Sequence, residues 1–357
     1  MQQAIAIPDT IEGLTASWLT QAIGQRCPGL TVTSATVDRV IWGTSTKVLM
    51  PIEYTGPRDC ELPQRLCVKG EFDERVRNSL TTVTMTGTQV EAQFYNDVAP
   101  RLGIPMPRHW FGGSKPGMGV LILDDLAALG ATFGDPVRPW PPERVARALE
   151  ILAALHASTW DRRFEGIAWL GIGSPTLRQY SEFLMSEAHW QTHFTQPDAF
   201  KLPRALSDRQ QALNALRAMW RYDDQHAHCL VHGDAHLGNT CVAAGGQPFF
   251  IDWAGPSISH WALDVSYFIA GSLTVADRRS HERDLLQHYG RQLRERGGPQ
   301  LQEGAVWDDY RRHQLHGMCW STLPSTLQSP ENVDAMAERY TCAMLDHDSI
   351  QLLAQVR

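Results

Sequence analysis

The order of its strand-like and helix-like segments most constrains the fold of this chain. Strand-like runs rich in Val, Ile and Thr occupy parts of residues 31–72 and 108–126, and a helical segment at 88–102 lies between them. The proline-rich stretch PVRPWPP at 136–142 ends this part of the chain. Beyond it, from the amphipathic segment at 143–159 onwards, most periodic segments have helical spacing. This order predicts a small, mostly β front lobe and a larger, mostly α-helical back lobe.

The length of the chain also favours two lobes, because 357 residues are many for a single hydrophobic core. We expect an N-terminal lobe at residues 1–123, a hinge and linker at 124–142, and a helical C-terminal lobe at 143–357. A cleft between two lobes is a common position for a small-molecule site.

The net charge and the hydropathy pattern argue against two classes of partner. The formal net charge is −7, whereas nucleic-acid-binding domains usually carry a basic face, so we expect no nucleic acid partner. No segment has the roughly 20 apolar residues of a membrane span, and the first residues lack the pattern of a signal peptide. We therefore expect a cytoplasmic protein with no membrane partner.

The cysteine pattern also favours a cytoplasmic protein. The chain has 7 of them, an odd number, and no CxxC pair occurs. Neither a disulfide framework nor a cysteine-rich zinc site is expected, and a reducing compartment is the default for such a pattern.

The stretch CLVHGDAHLGNTCVAAGGQPFFID, at 229–252, carries the most informative polar residues. Two apolar runs flank it, and each leads into an aspartate. Hairpin-like strands would bring Asp234, Asn239 and Asp252 to the same end. Their oxygens suit Mg²⁺, which tends to bind one or two protein carboxylates plus substrate phosphates. One aspartate would then remain free to orient an attacking hydroxyl.

The spacing of these three residues matches the arrangement used by protein kinases. There, a catalytic-loop aspartate accepts the hydroxyl proton, while an asparagine and a later aspartate bind Mg²⁺. The front lobe offers the remaining parts. Lys69, on the strand RLCVKGEF, could pair with phosphates, and Glu91 on the following helix could hold that lysine. The segment GTST at 43–46 is a candidate phosphate-covering loop.

Two other functions remain open at this point. His228, His232 and His236 are spaced by four, and a His/Asp metal-dependent hydrolase could be built on them. That spacing needs a helix, whereas Gly233 and the preceding apolar run favour a strand and a loop. The second alternative is a nucleotide-binding pseudokinase scaffold, although all of the expected catalytic positions are filled.

The motif HGDAHLGN, followed by FFIDW, resembles the aminoglycoside phosphotransferase and choline kinase superfamily, whose signature is HGDxxxxN and then IDW or IDF. Other segments, among them LCVKGEF, VLILDDL and DLLQHY, look like the ecdysteroid-kinase-like branch of that superfamily. The resemblance extends from about residue 8 to about residue 320. It implies an α+β, bilobal protein-kinase-like fold, whose N-terminal lobe binds the nucleotide and whose C-terminal lobe holds the acceptor.

The resemblance also implies an ATP- and Mg²⁺-dependent small-molecule kinase acting on a hydroxyl group. A steroid-like or other bulky alcohol is favoured as the acceptor, and an aminoglycoside or a choline-like compound is also compatible. Asp234 would be the catalytic base, and Asn239 and Asp252 would bind Mg²⁺. Lys69, paired to Glu91, would contact the α- and β-phosphates of ATP.

Supporting roles follow from the same resemblance. Asp264 would brace the catalytic loop, and we expect His232, independently of the resemblance, to brace the same loop instead of performing acid–base work. The loop before Lys47 lacks the glycines of a protein kinase, so phosphate contacts there would depend on Ser45, Thr46 and backbone N–H groups. The hinge whose backbone meets adenine would be formed by four consecutive residues: Leu123, Asp124, Asp125 and Leu126.

Overall fold

A six-stranded antiparallel sheet forms most of the front lobe in the computed structural model, which describes residues 5–57, 60–79, 84–162 and 164–355. The strands are β1 (Thr31–Ala35), β2 (Arg39–Ile41), β3 (Thr46–Thr55), β4 (Arg65–Gly70), β5 (His109–Lys115) and β6 (Met118–Asp124). Their spatial order is β1-β3-β4-β6-β5, and β2 also pairs with β3. Along β3, Val48, Met50 and Ile52 are buried on one face, which is the period of two expected of a half-buried strand.

The front-lobe helices are α1 (Ala16–Gly24), α2 (Glu74–Ser79) and α3 (Gly87–Gln93), and a 3₁₀ turn (Ile11–Gly13) precedes them. Thr86 and Gln89 form a capping box that fixes the start of α3. The sequence predicts one helix over 88–102, but the α-helical part is shorter. It continues as a π-helical segment (Phe94–Val98) and a 3₁₀ turn (Ala99–Arg101). Pro100, in that turn, has no N–H to continue an α-helix.

Helices dominate the back lobe, as the sequence predicts. They are α4 (Pro142–Thr159), α5 (Pro175–Leu184), α6 (Glu187–Phe194), α7 (Arg209–Gln225), α8 (Ala262–Ser272), α9 (Val275–Glu295), α10 (Glu303–His313), α11 (Pro330–Asp346) and α12 (Ser349–Leu353). Three 3₁₀ segments lie among them: Arg204–Leu206, Leu237–Asn239 and Gln314–Thr322. The predicted apolar stripe of α4 is buried, and His156 within it contacts Tyr289 and Asp264.

The back lobe also contains short strands, and here one expectation is wrong. They are β7 (Thr132–Phe133), β8 (Cys229–Val231), β9 (Thr240–Val242), β10 (Pro248–Phe250) and β11 (Ser257–Ser259). The apolar runs CLV and PFFI were expected to form the hairpin-like strands, but β10 pairs with β9, and β7 lies on the edge of that hairpin. However, β8 pairs with β11 instead of joining this hairpin. The three residues of β11, two of them serines, are too few and too polar to give a strand signal in the sequence.

Two hydrophobic clusters form the core of the described part of the chain. One lies within the front lobe, between its sheet and α1, and includes Trp18, Val48 and Trp110. The larger cluster fills the back lobe and crosses the boundary, because it also contains Phe94 from the front lobe and Leu121 from β6. Among the described residues, no helix is both long enough and apolar enough to cross a membrane.

The cysteine pattern predicts no disulfide framework, but the structure has one disulfide in its described residues. Cys27, just after α1, is bonded to Cys60 in the loop after β3, with their Cα atoms 5.8 Å apart. The other five cysteines are free. The two bonded residues are 33 positions apart, and only the packing of α1 beside the sheet brings them together. The cysteine pattern therefore no longer supports a reducing compartment.

Candidate active site

Lys69 lies at the boundary of the two lobes, where it contacts two carboxylates. It is near the end of β4, and its side chain is only 4% exposed. Its Nζ atom lies 2.5 Å from Glu91 Oε2, on α3, and donates to Asp252 Oδ1 at 3.0 Å. Lys69 therefore contacts two other residues that the sequence predicts for the site, Glu91 and Asp252.

The electrostatics favour the charged forms of Lys69 and Asp252, whereas burial raises the pKa of Glu91. Burial alone would lower the pKa of Lys69, but the negative charges of Asp252 and Glu91 outweigh it, and the pKa is raised. Burial would likewise raise the pKa of Asp252, yet Lys69 and Lys47 hold it well below its ordinary value. Lys47 Nζ, 3.8 Å from Asp252 Oδ2, is a second cation at this carboxylate. Asp252 and Lys69 are thus an ion pair over a wide pH range.

The backbone around Asp252 is fixed by the same helix that carries Glu91. Asp252 has φ of +64°, in the left-handed region that residues other than glycine seldom adopt. Trp253 N donates to Glu91 Oε1 at 3.3 Å, and the Trp253 ring stacks on Phe94 with centroids 4.4 Å apart. Unusual backbone conformations of this kind persist where the surroundings over-determine them, and they cluster at functional sites.

The loop after β8 is anchored by Asp264 on α8. Its two carboxylate oxygens accept from His232 N at 2.7 Å and from Gly233 N at 2.9 Å. Gly233 has φ of +82°, and a Cβ atom there would lie 2.2 Å from the carbonyl oxygen of Gly255. A side chain is therefore excluded at Gly233.

His232 supports the loop through both of its ring nitrogens. Nε2 donates to the carbonyl oxygen of Ile251 at 3.0 Å, and Nδ1 accepts from Asp234 N at 3.2 Å. Two of the three histidines considered as metal ligands are therefore engaged elsewhere, since His228 Nδ1 also contacts Asp161 at 2.9 Å. In the ranges that the structure describes, no group of three or more His, Cys, Asp or Glu side chains could hold a metal ion.

The carboxylate of Asp234 is 34% exposed and is held by neutral donors. Asn239 Nδ2 donates to Oδ2 at 3.0 Å, and the Tyr267 hydroxyl donates to Oδ1 at 3.3 Å. Tyr267 in turn accepts from Trp320 Nε1 at 2.6 Å. Sequence reasoning missed Tyr267, because every residue of α8 is buried and the helix shows no polar face to single out a functional side chain. Lys47 was missed because it reads as an ordinary strand lysine.

The oxygens of Asn239 and Asp252 fit the demands of Mg²⁺. The amide nitrogen of Asn239 donates to Asp234, so the amide oxygen takes no hydrogen bond within the described part of the chain. Asp252 uses Oδ1 for Lys69 and is 27% exposed, so Oδ2 remains accessible beside Lys47. Two such oxygens are a small set, which suits an ion that also takes water and phosphate oxygens.

Ser45 and Thr46 lie at the start of β3, on the strand next to Lys69. Ser45 Oγ is 3.0 Å from Thr88 Oγ1 at the start of α3. Thr46 is buried, pairs with Gly70 in the ladder, and its Oγ1 has no partner among the described residues. The predicted phosphate contacts of both residues stay a prediction.

The predicted hinge begins at the end of β6, where two acidic side chains have structural partners. Asp124 accepts from Trp110 Nε1 at 2.8 Å, and Asp125 is buried and accepts from Arg65 Nε at 3.3 Å. The N–H groups of both aspartates also donate, to the carbonyl oxygens of residues 108 and 65. A backbone donor to adenine would therefore come from Leu126 or beyond. Leu123 is buried in the larger cluster.

Comparisons with known proteins bear on the family and the fold of this chain. Residues 91–313 match the sequence model of a phosphotransferase enzyme family. Comparison with curated proteins gave no match.

Among solved structures, the chain is similar to choline kinase LicA from Streptococcus pneumoniae, with 14% identity and a TM-score of 0.50, covering 93% of this chain and 98% of that one. A complex of LicA with AMP gives 15% identity and a TM-score of 0.50 over 89% and 94% of the two chains. The macrolide 2′-phosphotransferase MphH from Brachybacterium faecium gives 15% identity and a TM-score of 0.44 over 92% and 97%. At this identity the likeness to the choline kinase concerns the fold, and it confirms the predicted bilobal, kinase-like α+β class.

Proposed function

This chain is a member of the phosphotransferase enzyme family, and on that premise we propose that it transfers the γ-phosphate of ATP to a hydroxyl group of a small molecule, with Mg²⁺. One observation carries the proposal: the buried Lys69 is held between Glu91 and Asp252 at 2.5 Å and 3.0 Å. In protein kinases, an ion pair between a strand lysine and a helix glutamate must be in place for phosphoryl transfer, and the Lys69–Glu91 pair has this form. In this proposal residues 1–123 hold the nucleotide, 124–142 connect the lobes and provide the adenine contact, and 143–357 hold the acceptor.

The residues on the nucleotide side would bind and neutralise phosphates. Lys69, kept charged by its two partners, donates to the α- and β-phosphate oxygens, and Ser45 and Thr46 lie beside it for further contacts. Asn239 and Asp252 would hold Mg²⁺, which when bound supplies positive charge against the phosphate oxygens. Fixed charges of this kind stabilise the charge that develops in the transition state.

Asp234 would act on the acceptor. One carboxylate oxygen accepts the hydroxyl proton while the acceptor oxygen bonds to the γ-phosphorus, and the bond from that phosphorus to the bridging oxygen of ADP breaks. Asn239 and Tyr267 fix the two oxygens of Asp234 through neutral hydrogen bonds. Their donor groups hold the carboxylate in place, which is the positioning that makes an in-line transfer fast.

The acceptor that we propose is an uncharged, bulky alcohol of the steroid-like kind, in agreement with the ecdysteroid-kinase-like segments of the sequence. The helix α5 lies against the catalytic loop, because the Leu177 side chain is next to Gly233 and Gly255. The acidic side chains on α5, α6 and α7 are paired with cationic groups. The pairs are Glu182–Arg217, Glu187–Arg209, Asp224–Arg178 and Asp223–His313.

A polycationic aminoglycoside would need free carboxylates in this region, and these four are already engaged. The groups close to Asp234 are instead aromatic or imidazole rings: Tyr267, Trp320 and His236. Burial lowers the pKa of His236, which favours its neutral form beside the carboxylate. Such a wall suits an apolar ring system better than a cation-rich sugar.

The test is transfer of labelled phosphate. The protein is incubated with γ-labelled ATP and MgCl₂ and with each of three acceptor pools: sterols and other bulky alcohols, aminoglycosides, and choline-like amino alcohols. We expect an organic phosphate ester from the first pool, and none from the same reaction with Asp234→Ala. Label found only in an aminoglycoside or an amino alcohol would contradict the acceptor class. Tight ATP binding without transfer to any of the three pools would contradict the proposed function and favour the nucleotide-binding scaffold.

A further inference from the structure

A cavity lies in the back lobe, between α9 and α10. It has a volume of about 350 Å³. None of its lining residues belongs to the candidate active site described above, and they come from α9, from α10 and from the segment that joins the two helices. The volume is within the range of about 300–1,000 Å³ found for small-molecule pockets.

One wall of this cavity is a row of arginines on α9. Arg283, Arg291 and Arg294 all line it and all are exposed. Their spacing, together with Gln287 and Gly290, places them along one stripe of the helix. The charged lining is thus three arginines against one acidic residue, Glu303. This local excess of positive charge occurs in a chain whose formal net charge is −7.

These arginines differ from the others on the same helix in their partners. Arg278 and Arg279, near the start of α9, form ion pairs with Asp346. By contrast, within the described ranges no carboxylate lies within ion-pair distance of Arg283, Arg291 or Arg294. Guanidinium groups present paired N–H donors that match carboxylate and phosphate oxygens, so these three are available for an anion.

The opposite wall is apolar and aromatic. Val306 and Trp307 of α10 line it together with Leu301. The guanidinium carbon of Arg283 lies 3.8 Å from the centroid of the Trp307 ring. A cation held over an indole face is partly desolvated and fixed in orientation. The cavity therefore combines a flat apolar surface with fixed positive charge at its edge.

We propose that this cavity binds a small organic anion in which a carboxylate or a phosphate group is attached to a flat apolar body. The anionic group contacts Arg291 and Arg294, and the apolar body lies along Trp307, Val306 and Leu301. The arginines alone would attract any anion, and the apolar wall alone would attract any hydrophobic compound. A ligand that fits the whole cavity therefore has both an anionic group and an apolar body.

The experiment uses 8-anilinonaphthalene-1-sulfonate, a fluorescent aromatic anion, titrated into the full chain with MgADP present to fill the nucleotide site. We expect saturable binding that the double variant Arg291→Glu with Arg294→Glu weakens at least tenfold. The matched control is Arg221→Glu, an exposed arginine on α7 outside the cavity, which should change the affinity less than twofold. Trp307→Leu keeps the arginines and should weaken binding by an intermediate factor.

Competition by a matched set of compounds tests the two-part requirement. The compounds 2-naphthoate and 1-naphthyl phosphate should displace the probe, and the stronger of the two identifies the anionic group. Neutral naphthalene-2-carboxamide and inorganic phosphate should each compete at least tenfold more weakly. Equal affinity of the double variant and the native chain, equal competition by the carboxamide, or an absence of saturable binding would each overturn the proposal.

Discussion

The two charged groups at the centre of the molecule are held in opposite ways. Lys69 is buried and lies between two carboxylates, so its charge is neutralised by full ions. Asp234 is partly exposed and is held by the amide of Asn239 and the hydroxyl of Tyr267, both neutral. Ion pairing secures a buried charge at a fixed place, whereas neutral donors orient a carboxylate without cancelling the charge that it needs to take up a proton.

The largest effect is expected from removing the carboxylate that the neutral donors hold. Asp234→Ala should lower kcat by about 10²–10⁴-fold, the usual contribution of a positioned general base, while ATP binding is retained. Turnover is measured by formation of the phosphate ester, and ATP affinity by calorimetry. Near-native turnover in this variant would remove Asp234 from the mechanism.

The ion pairs of Lys69 are tested by the effect of their removal on the stability of the protein. Lys69→Met leaves Glu91 and Asp252 without their shared cation, and loss of one partner of a buried ion pair typically costs about 3–5 kcal/mol. The free energy of unfolding in urea measures this loss. The matched control is Lys47→Met, which removes a 36% exposed lysine at 3.8 Å from Asp252 and should cost about 1 kcal/mol or less. Equal losses in the two variants would mean that Lys69 is not the cation on which this group depends.

A smaller effect is expected from loosening Asp234 without removing it. Tyr267→Phe deletes the hydroxyl that donates to Asp234 Oδ1 and should lower kcat by about tenfold, with the KM for ATP unchanged. The control is Tyr340→Phe, which deletes a hydroxyl bonded to the carbonyl oxygen of Tyr267 but none at Asp234. A similar fall in kcat for both variants would point to packing around α8 instead of the orientation of the carboxylate.

The smallest expected effect is a loss of stability at low pH. The pKa of Asp252 is lower in the folded chain than in the unfolded one, because Lys69 and Lys47 outweigh its burial. Its contribution to stability is therefore present above the unfolded pKa, near 3.8, and is lost as the pH falls towards the folded pKa. The difference in unfolding free energy between the native chain and Asp252→Asn should shrink between pH 5 and pH 3. A difference that stays constant over this interval would contradict the ion pair.

The parts of the site that the sequence predicted are those whose chemistry shows in the residue types and their spacing. Asp234, Asn239 and Asp252 stand in one short stretch, and the Lys69–Glu91 contact joins β4 to α3. Contacts that depend only on packing were not predictable. Tyr267 contacts Asp234 from an entirely buried helix, and Cys27 meets Cys60 only because α1 packs beside the sheet. The pairing of β8 with β11 was missed because β11 has only three residues.

The contact between α3 and the segment after β10 has a consequence for how this chain can change over evolution. Glu91 holds both Lys69 and the backbone of Trp253, and Phe94, three residues later, stacks on the Trp253 ring. A substitution at any one of these positions disrupts a partner on the other lobe. Related chains should therefore vary at 94 and 253 together, with compensating ring sizes, and the 91 and 69 positions should accept change only as a pair.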